Sequence, residues 1–262
     1  MSNQAITLDV RDGIAHLVLN RPDEGNTLAE EFTDALEQHT IEMAGRDDVR
    51  AVLITSTGPR FSVGGSIANF TSDRAALAPK IRKWNASLHG SISRLARMNA
   101  PSVVAVHGTV AGGALSFISG CDIIVSVDKA QFAAAYATIG FCPDLGGTIN
   151  VARRVGVSRA RRFHLLQERL NAQTALDIGL IDFIVPEAEL SKHVRAIAQR
   201  WAQGPTQSFG EIKRLMQSVS HLPMEAQMEM ETQGIARLCG TEDAWNALNA
   251  FMAKRPPVYK GR

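Results

Sequence analysis

The stretch at residues 103–120 constrains the fold of this chain more than any other; it reads VVAVHGTVAGGALSFISG. Its first residues are apolar throughout, as in a strand buried on both faces, and the chain then turns at His107-Gly108 and bends again at Gly112-Gly113. The helix predicted at residues 114–119 has almost no polar side chain, which is typical of a helix in a protein core. The first turn of a helix has unpaired N–H groups, and glycines let a ligand approach the backbone, so this bend could bind developing negative charge. The alternative is a packed helix whose glycines only relieve crowding.

Strand and helix patterns alternate along the first two thirds of the chain. The hairpin pattern at residues 6–19 precedes a helix at Glu30–Ala44, a turn-rich loop at 58–70 and a long helix at 80–98. Further short strands are predicted at residues 51–55, 103–106, 123–127, 131–135 and 180–185, and the pattern from residue 189 onward is helical. This order predicts an α/β fold with a helical C-terminal region.

Composition and motifs exclude several classes of protein. A net charge of +2 over 262 residues argues against a general role in binding polyanions. The three cysteines have no metal-binding spacing and are expected to be free thiols in a reducing compartment. No signal-peptide pattern and no apolar run of about 18 residues is present, and neither nucleotide-binding glycine motif occurs. We therefore expect a soluble cytoplasmic protein that binds neither membrane nor nucleic acid.

Three glycine-rich loops carry the residues best suited to chemistry. Residues 61–66 (FSVGGS) and 108–113 each follow a predicted buried strand and end near a glycine pair. Two N–H donors from separate loops would form an oxyanion hole, which stabilises negative charge developing on a carbonyl oxygen. The third loop carries Asp144, which either caps the following helix or acts as a general base or nucleophile beside that carbonyl.

Taken together, these motifs resemble those of the crotonase superfamily, the enoyl-CoA hydratases and isomerases. The resemblance implies a spiral core of ββα repeats over residues 1–200, a helical trimerisation region over 201–262, and a homotrimer or dimer of trimers. It also implies an acyl-CoA thioester as substrate, so that coenzyme A arrives with the substrate and no separate cofactor or metal is expected. The resemblance spans nearly the whole chain and rests on five stretches in order: NRPDEGNTL (20–28), FSVGGSI (61–67), APSVVAVHGTVAGGALSFISGCDIIVS (100–126), AQFAAAYATIGFCPDLGG (130–147) and FMAKRPP (251–257).

The same resemblance assigns roles to individual residues. It implies that Gly65 and Gly113 supply the oxyanion-hole N–H groups and that Asp144 is the catalytic carboxylate. Gly65 stands where alanine is common in the superfamily, and Ser66 stands where an acidic residue is usual. The residues expected to contact the acyl-CoA are Thr27, Ser66, Ile67, Ser116, Tyr136, Phe251 and Lys254, the last two holding the nucleotide part, often across a subunit boundary.

Departures from the superfamily pattern bear on the reaction. Ser116 and Tyr136 fall where enoyl-CoA hydratases have two glutamates, and neither is a carboxylate base at neutral pH. Asp144 lies in GFCPDLGGT and matches the aspartate of two other groups: isomerases, including the ring 1,2-epoxyphenylacetyl-CoA type, and 4-chlorobenzoyl-CoA dehalogenases. The dehalogenases also use a histidine, which falls on His89; otherwise His89 is one more residue of a long helix.

We therefore predict an isomerase, in which the oxyanion hole stabilises a thioester enolate and Asp144 acts as acid and base. The proline before Asp144 and the weak match around His89 favour this type over the dehalogenase, and the AFMAKRPPVYKG segment near the C-terminus also resembles the isomerases. An enoyl-CoA hydratase, a dehalogenase-like hydrolase and a non-catalytic acyl-CoA-binding protein remain as alternatives. An RNA-binding function would rest on five arginines within residues 153–162 and is disfavoured by the balanced total charge.

Overall fold

The computed structural model describes residues 4–262, so the first three residues of the predicted core lie outside the described residues. Within that part of the chain, a larger sheet has the order β1-β2-β3-β4-β6-β9 and a smaller one the order β5-β7-β8. The strands are β1 (Ile6–Arg11), β2 (Ile14–Leu19), β3 (Ala51–Ser56), β4 (Ser102–Val106), β5 (Val110–Ala111), β6 (Ile123–Ser126), β7 (Gln131–Ala133), β8 (Arg169–Asn171) and β9 (Phe183–Ile184).

Helices surround these sheets and account for all regular structure after β9 within the described residues. Their bounds are α1 (Glu30–Ala44), α2 (Ile67–Thr71), α3 (Arg74–Arg97), α4 (Gly113–Ser119), α5 (Gly147–Val155), α6 (Val157–Leu165), α7 (Ala172–Asp177), α8 (Glu187–Ala202), α9 (Thr206–Ser218), α10 (Met224–Cys239) and α11 (Glu242–Met252). The α/β class and the helical C-terminal region predicted from the sequence are confirmed.

The larger sheet begins with the predicted hairpin and continues with parallel strands. β1 and β2 pair antiparallel around Asp12 and Gly13, whose positive φ angles of 52° and 79° suit a tight hairpin turn. From β2 to β9 the neighbours are all parallel, and every residue of β4 is buried. Parallel strands covered on both faces require such apolar runs, which is why the sequence pattern located β4 correctly.

The core helix predicted after the glycine pair is confirmed. All seven residues of α4 are buried, and the helix follows directly on Gly112, whose N–H donates to the carbonyl of Ala133 at 3.1 Å. Because β5 and β7 are parallel neighbours, this bond continues their pairing into the bend and fixes where α4 begins.

Four local predictions need correction. The long helix starts at Arg74 and not at residue 80. The Asp73 carboxylate caps it by accepting from the N–H groups of Ala75 and Ala76, and Pro79 lies inside the helix. The loop at 58–70 contains the start of α2. β7 ends at Ala133 because Ala135 has a φ of 52°, and β8, in which only Leu170 is buried, was not predicted.

Internal contacts occupy three arginines of the 153–162 cluster, and the first of them, Arg153, donates to the carbonyl of Gln217 at 2.8 Å. Arg154 donates to the carbonyl of Cys121 at 2.7 Å and to Asp182 Oδ2 at 3.1 Å, and Arg162 donates to Glu168 Oε1 at 2.7 Å. Arg154 therefore ties α5 to the edge of the core, and this cluster is only partly a free basic surface.

The C-terminal helices contact the core through a buried ammonium group. Lys213 on α9 lies 3.0 Å from Asp122 Oδ2 and donates to the carbonyls of Leu95 and Ala100. A buried lysine needs such partners, because an unpaired charge in the interior is strongly destabilising. Among the described residues, no helix combines the length and the hydrophobicity that a membrane crossing requires.

Two histidines should make the stability of the fold depend on pH. Burial is the main cause that lowers the pKa of both His16 and His164, and the charge of Arg195 lowers the pKa of His16 further. Such groups bind fewer protons in the folded state, so their stabilisation is complete above the ordinary histidine pKa of about 6.5 and is lost as the pH falls below it. We expect the unfolding temperature to drop by a few degrees between pH 7.5 and 5.5, measured by thermal unfolding. The drop should be smaller in a His16→Gln/His164→Gln variant; an equal drop would assign the effect to other groups.

Candidate active site

A cavity of about 1100 Å³ opens where the glycine-rich loops meet α3. Its wall is mostly apolar, and Asp144 is the only carboxylate among the lining residues that the structure describes. The fold brings together most of the residues predicted from the sequence. Those that also line the cavity are Thr27, Gly65, Ser66, Ile67, Gly113 and Tyr136.

The two glycine-rich loops touch each other at the inner end of this cavity. The N–H of Ala111 donates to the carbonyl of Ser62 at 3.1 Å, and the N–H of Ser62 donates to the carbonyl of Thr109 at 3.1 Å. Gly64 has a φ of 86°, and a β-carbon on it would lie 2.6 Å from the carbonyl oxygen of Ala111. No larger residue could allow the loops to approach so closely.

The N–H groups of Gly65 and Gly113 are free to bind a ligand. Within residues 4–262, neither donates a hydrogen bond to another group of the chain. Gly113 is the first residue of α4, where N–H groups have no partner inside the helix and the helix dipole is positive. Two free donors in neighbouring loops at the wall of one cavity form the arrangement that stabilises an oxyanion.

Asp144 lines the same cavity as these donors and lies close to Gly113. Its Oδ1 atom lies 4.0 Å from the position that a β-carbon on Gly113 would occupy. The helix-cap alternative is wrong, because α5 is capped by Gly146 and no side chain accepts from its first N–H groups. The Asp144 side chain is therefore directed into the cavity instead of stabilising the helix that follows it.

Two hydroxyl groups connect Asp144 with the interior. The Tyr136 hydroxyl donates to Asp144 Oδ1 at 2.6 Å and lies 2.8 Å from Ser116 Oγ. Ser116 is buried in α4 and does not line the cavity, so it stands behind Tyr136. Ser116 and Tyr136 were predicted to contact substrate; in the structure their polar atoms are engaged with each other and with Asp144.

Burial is the main influence on the pKa values of Asp144 and Tyr136. It raises the pKa of Asp144 above its ordinary value, against the hydrogen bond from Tyr136, the nearby His89 and the side chain of Asn85, which lower it. Burial and the neighbouring Asp144 charge also raise the pKa of Tyr136, so the phenol stays protonated. A raised pKa makes the ionised carboxylate a better proton acceptor, which suits a general base.

The loop that carries Asp144 is held in an unusual conformation. Ala135 and Leu145, on either side of it, both have a φ of 52°, which non-glycine residues rarely adopt. The N–H of the buried Leu145 donates to His89 Nε2 at 3.1 Å. His89 therefore contacts the backbone next to Asp144 and does not line the cavity. Asn85, which sequence reasoning missed, lies one helical turn before His89 on the same face of α3.

Phe70 fills the space above Gly65. A β-carbon on Gly65 would lie 2.5 Å from Phe70 Cζ, so the ring occupies the volume that an alanine methyl would need. Phe70 also packs against Phe141 and Trp84, with ring centroids 5.4 Å and 6.4 Å apart. These three rings form the aromatic wall of the cavity.

Two predicted residues do not join the site within one chain. Phe251, at the end of α11, is 80% exposed, and Lys254 follows that helix with a φ of 53°. Neither lines the cavity. Phe251 instead lines a second cavity, which lies among the C-terminal helices.

Comparisons with known proteins identify the family to which this fold and site belong. Residues 9–262 match the family model described as enoyl-CoA hydratase/isomerase, and the chain belongs to that family. Its fold is the crotonase-type α/β fold with C-terminal helices. As the resemblance implied, the protein is an enzyme of this family.

Individual relatives carry different reaction names. The 1,2-epoxyphenylacetyl-CoA isomerase of Escherichia coli is 29% identical over 97% of both chains. The trans-2-decenoyl-[acyl-carrier-protein] isomerase of Streptococcus mutans is 30% identical over the full length of both. The crystal structure of an enoyl-CoA hydratase from Polaromonas is 25% identical, covers 97% of this chain and 99% of that chain, and has a TM-score of 0.91. Similarity alone does not select the reaction.

Proposed function

We propose that this enzyme is an acyl-CoA isomerase that shifts a double bond, or rearranges a ring epoxide, next to a thioester carbonyl. The observation that carries the proposal is that Asp144, the one carboxylate among the described lining residues, shares a largely apolar cavity with two free N–H donors and lies close to one of them, Gly113. One base that both removes and returns a proton needs no second carboxylate. Hydration of a double bond by the superfamily's two-glutamate arrangement does need one.

The mechanism follows from the positions of these groups. The thioester oxygen accepts hydrogen bonds from the N–H groups of Gly65 and Gly113, which become stronger as the enolate forms. Asp144 removes a proton from one carbon and returns it to the carbon two positions away. The apolar wall keeps the protonated Asp144 away from bulk water, so the same proton can be returned. Coenzyme A belongs to the substrate, and these steps require no further cofactor.

The C-terminal helices support self-association as a homotrimer or a dimer of trimers. Large apolar side chains are exposed on them: Ile212, Met216, Met228, Ile235, Trp245, Leu248, Phe251 and Met252. Five of them, Ile212, Met228, Ile235, Leu248 and Phe251, line one cavity among these helices, and grouped exposed apolar side chains are typical of protein interfaces. In such an assembly, Phe251 and Lys254 of one chain would be near the nucleotide end of an acyl-CoA bound to a neighbouring chain.

A dehalogenase-like hydrolase is the second candidate, favoured by the short path from His89 to Asp144. In that reaction Asp144 attacks the aromatic ring, and a histidine must then activate water. His89 Nε2 already accepts from Leu145, and His89 does not line the cavity, which favours the isomerase.

A turnover assay on a small acyl-CoA panel tests the proposal. The panel contains cis-3-enoyl-CoA, crotonyl-CoA, the ring epoxide of phenylacetyl-CoA and 4-chlorobenzoyl-CoA, with products read by mass spectrometry and ultraviolet absorbance. Double-bond migration or epoxide rearrangement supports the isomerase. Chloride release would support the hydrolase, hydration of crotonyl-CoA would support a hydratase, and acyl-CoA binding without turnover would support a binding protein.

Adding a methyl group at Gly65 should displace Phe70 into the acyl cavity. In Gly65→Ala the new carbon would lie 2.5 Å from Phe70 Cζ, so the ring must rotate. Because overpacking costs about 1–3 kcal/mol, we expect kcat/KM for the best substrate to fall roughly tenfold. Gly65→Ala/Phe70→Leu should recover to the level of Phe70→Leu alone. Full activity of Gly65→Ala would show that Phe70 does not limit this part of the cavity.

A further inference from the structure

The direction of the hydrogen bonds between Ser116, Tyr136 and Asp144 follows from their chemistry. An ionised carboxylate only accepts, so the single proton of the Tyr136 hydroxyl is donated to Asp144 Oδ1. The Tyr136 oxygen can then only accept from Ser116, and Ser116 must donate to it across 2.8 Å. The three side chains therefore form a one-way hydroxyl chain that ends on Asp144.

The surrounding packing holds the start of this chain in place. Ser116 is 1% exposed, and a β-carbon on Gly147 would lie 2.1 Å from its Oγ atom. The absence of a side chain at Gly147 thus leaves room for the Ser116 hydroxyl and nothing larger. Ser116 lies on α4, Tyr136 follows β7, and Asp144 precedes α5, so the chain joins three separate elements.

We propose that Ser116 and Tyr136 are positioning residues whose hydroxyl chain fixes the orientation of the Asp144 carboxylate and stabilises its ionised, proton-accepting form. Burial alone would favour the neutral acid, which cannot take a proton from substrate. A short hydrogen bond from a phenol that is itself polarised by a second hydroxyl opposes that effect. This inference rests on the proposed role of Asp144. It assigns a function to Ser116 and Tyr136, which stand at the positions of the two hydratase glutamates.

Other groups also face Asp144, and they remain constant in the test. His89 and Asn85 approach it from α3 and Tyr136 from its own loop, while α4 contributes Gly113 at its first turn and Ser116 through Tyr136. His89 is the one other titratable group among them, so it is retained in every variant.

The experiment compares the pH dependence of kcat/KM for wild type, Tyr136→Phe, Ser116→Ala and the double variant, using the panel substrate that wild type converts fastest. In Tyr136→Phe the pKa of Asp144 should rise further, because the hydrogen bond that stabilises its charge is lost. The acidic limb should then move to higher pH, with a fall of about tenfold at pH 6 relative to pH 8. Ser116→Ala should move the limb in the same direction by less, and the double variant should match Tyr136→Phe.

Tyr259→Phe is the matched control, since Tyr259 is the other tyrosine of the chain and lies near its C-terminus. It should leave the pH profile unchanged. An unchanged acidic limb in Tyr136→Phe would overturn the proposal, and additive shifts in the double variant would overturn the role of Ser116.

A titration of the Asp144 carboxyl carbon by ¹³C NMR tests the hydroxyl chain independently of the proposed isomerase reaction. The signal is identified by its loss in Asp144→Asn. The titration needs no turnover. A higher pKa of Asp144 in Tyr136→Phe supports the hydroxyl chain even if no panel substrate is isomerised. An equal pKa in wild type and variant overturns the chain even if isomerisation is observed.

Discussion

Replacing Asp144 with asparagine is expected to lower kcat for isomerisation by about 10³–10⁴-fold, the upper part of the range for loss of a general acid–base group. Asparagine has nearly the same shape and can still accept from the Tyr136 hydroxyl through its amide oxygen. It cannot take up a proton at neutral pH. Both the removal and the return of the substrate proton would therefore be lost, while the cavity and its N–H donors stay in place.

Affinity for acyl-CoA, measured by calorimetric titration with a substrate analogue, should change little in Asp144→Asn. The matched control is Asp34→Asn, which removes an exposed carboxylate on α1 and should behave as wild type. Activity of Asp144→Asn within tenfold of wild type would exclude Asp144 as the base. A parallel loss of binding would instead indicate that the variant had altered the cavity.

Gly113→Ala should lower kcat/KM by about 10²–10³-fold, comparable to losing an oxyanion-hole donor. The new methyl would lie 3.1 Å from Leu28 Cδ2 and 4.0 Å from Asp144 Oδ1, in the space between the free N–H groups and the carboxylate. A thioester carbonyl has to occupy that space to accept from both N–H groups. The N–H itself is retained, so the expected loss comes from exclusion of the carbonyl.

Stability gives this prediction a second readout. Gly113 has no positive φ and begins α4, and alanine in a helix is favoured over glycine by about 0.5–1 kcal/mol. We expect an unfolding temperature equal to or above that of wild type, measured by thermal unfolding. Gly45→Ala, at the end of α1 where the nearest atoms to the new carbon are 3.7 Å away, should leave activity unchanged. A Gly113→Ala variant with wild-type kcat/KM would place the reacting carbonyl elsewhere.

Periodicity and turn chemistry made much of the fold predictable. The bounds of α1 and the buried, largely apolar character of β4 and α4 depend on residues close together in the chain, so their patterns could be read directly. The ends of an element were harder to predict where they depend on one capping side chain, and a strand was harder to predict where it depends on pairing with a distant strand. The start of α3 depends on Asp73, and β8 exists because β7 lies beside it.

The candidate site divides in the same way. The absence of glutamates at positions 116 and 136 became informative only through the family resemblance, whereas the glycine pairs and Asp144 were visible in the sequence, because they are matters of residue type at fixed positions. The contact between the Gly65 position and Phe70 could not be predicted from the sequence, because it depends on how α2 folds back over the loop. The position of His89 beside the Asp144 loop was expected only from the resemblance, and its bond to the Leu145 N–H appeared only in the structure.

The sequence by itself determined the α/β class, because local patterns are sufficient for it, while the glycine motifs and the family resemblance nominated Gly65, Gly113 and Asp144 as candidate catalytic groups. Only the tertiary structure decided that Ser116, Tyr136 and Asp144 form one hydrogen-bonded chain and that Asp144 is not a helix cap. Those contacts join α4, the segment after β7 and the loop before α5. A hydrogen bond forms only when the distance between donor and acceptor is correct to within a few tenths of an ångström. That distance is set by the packing of whole elements and not by spacing along the chain.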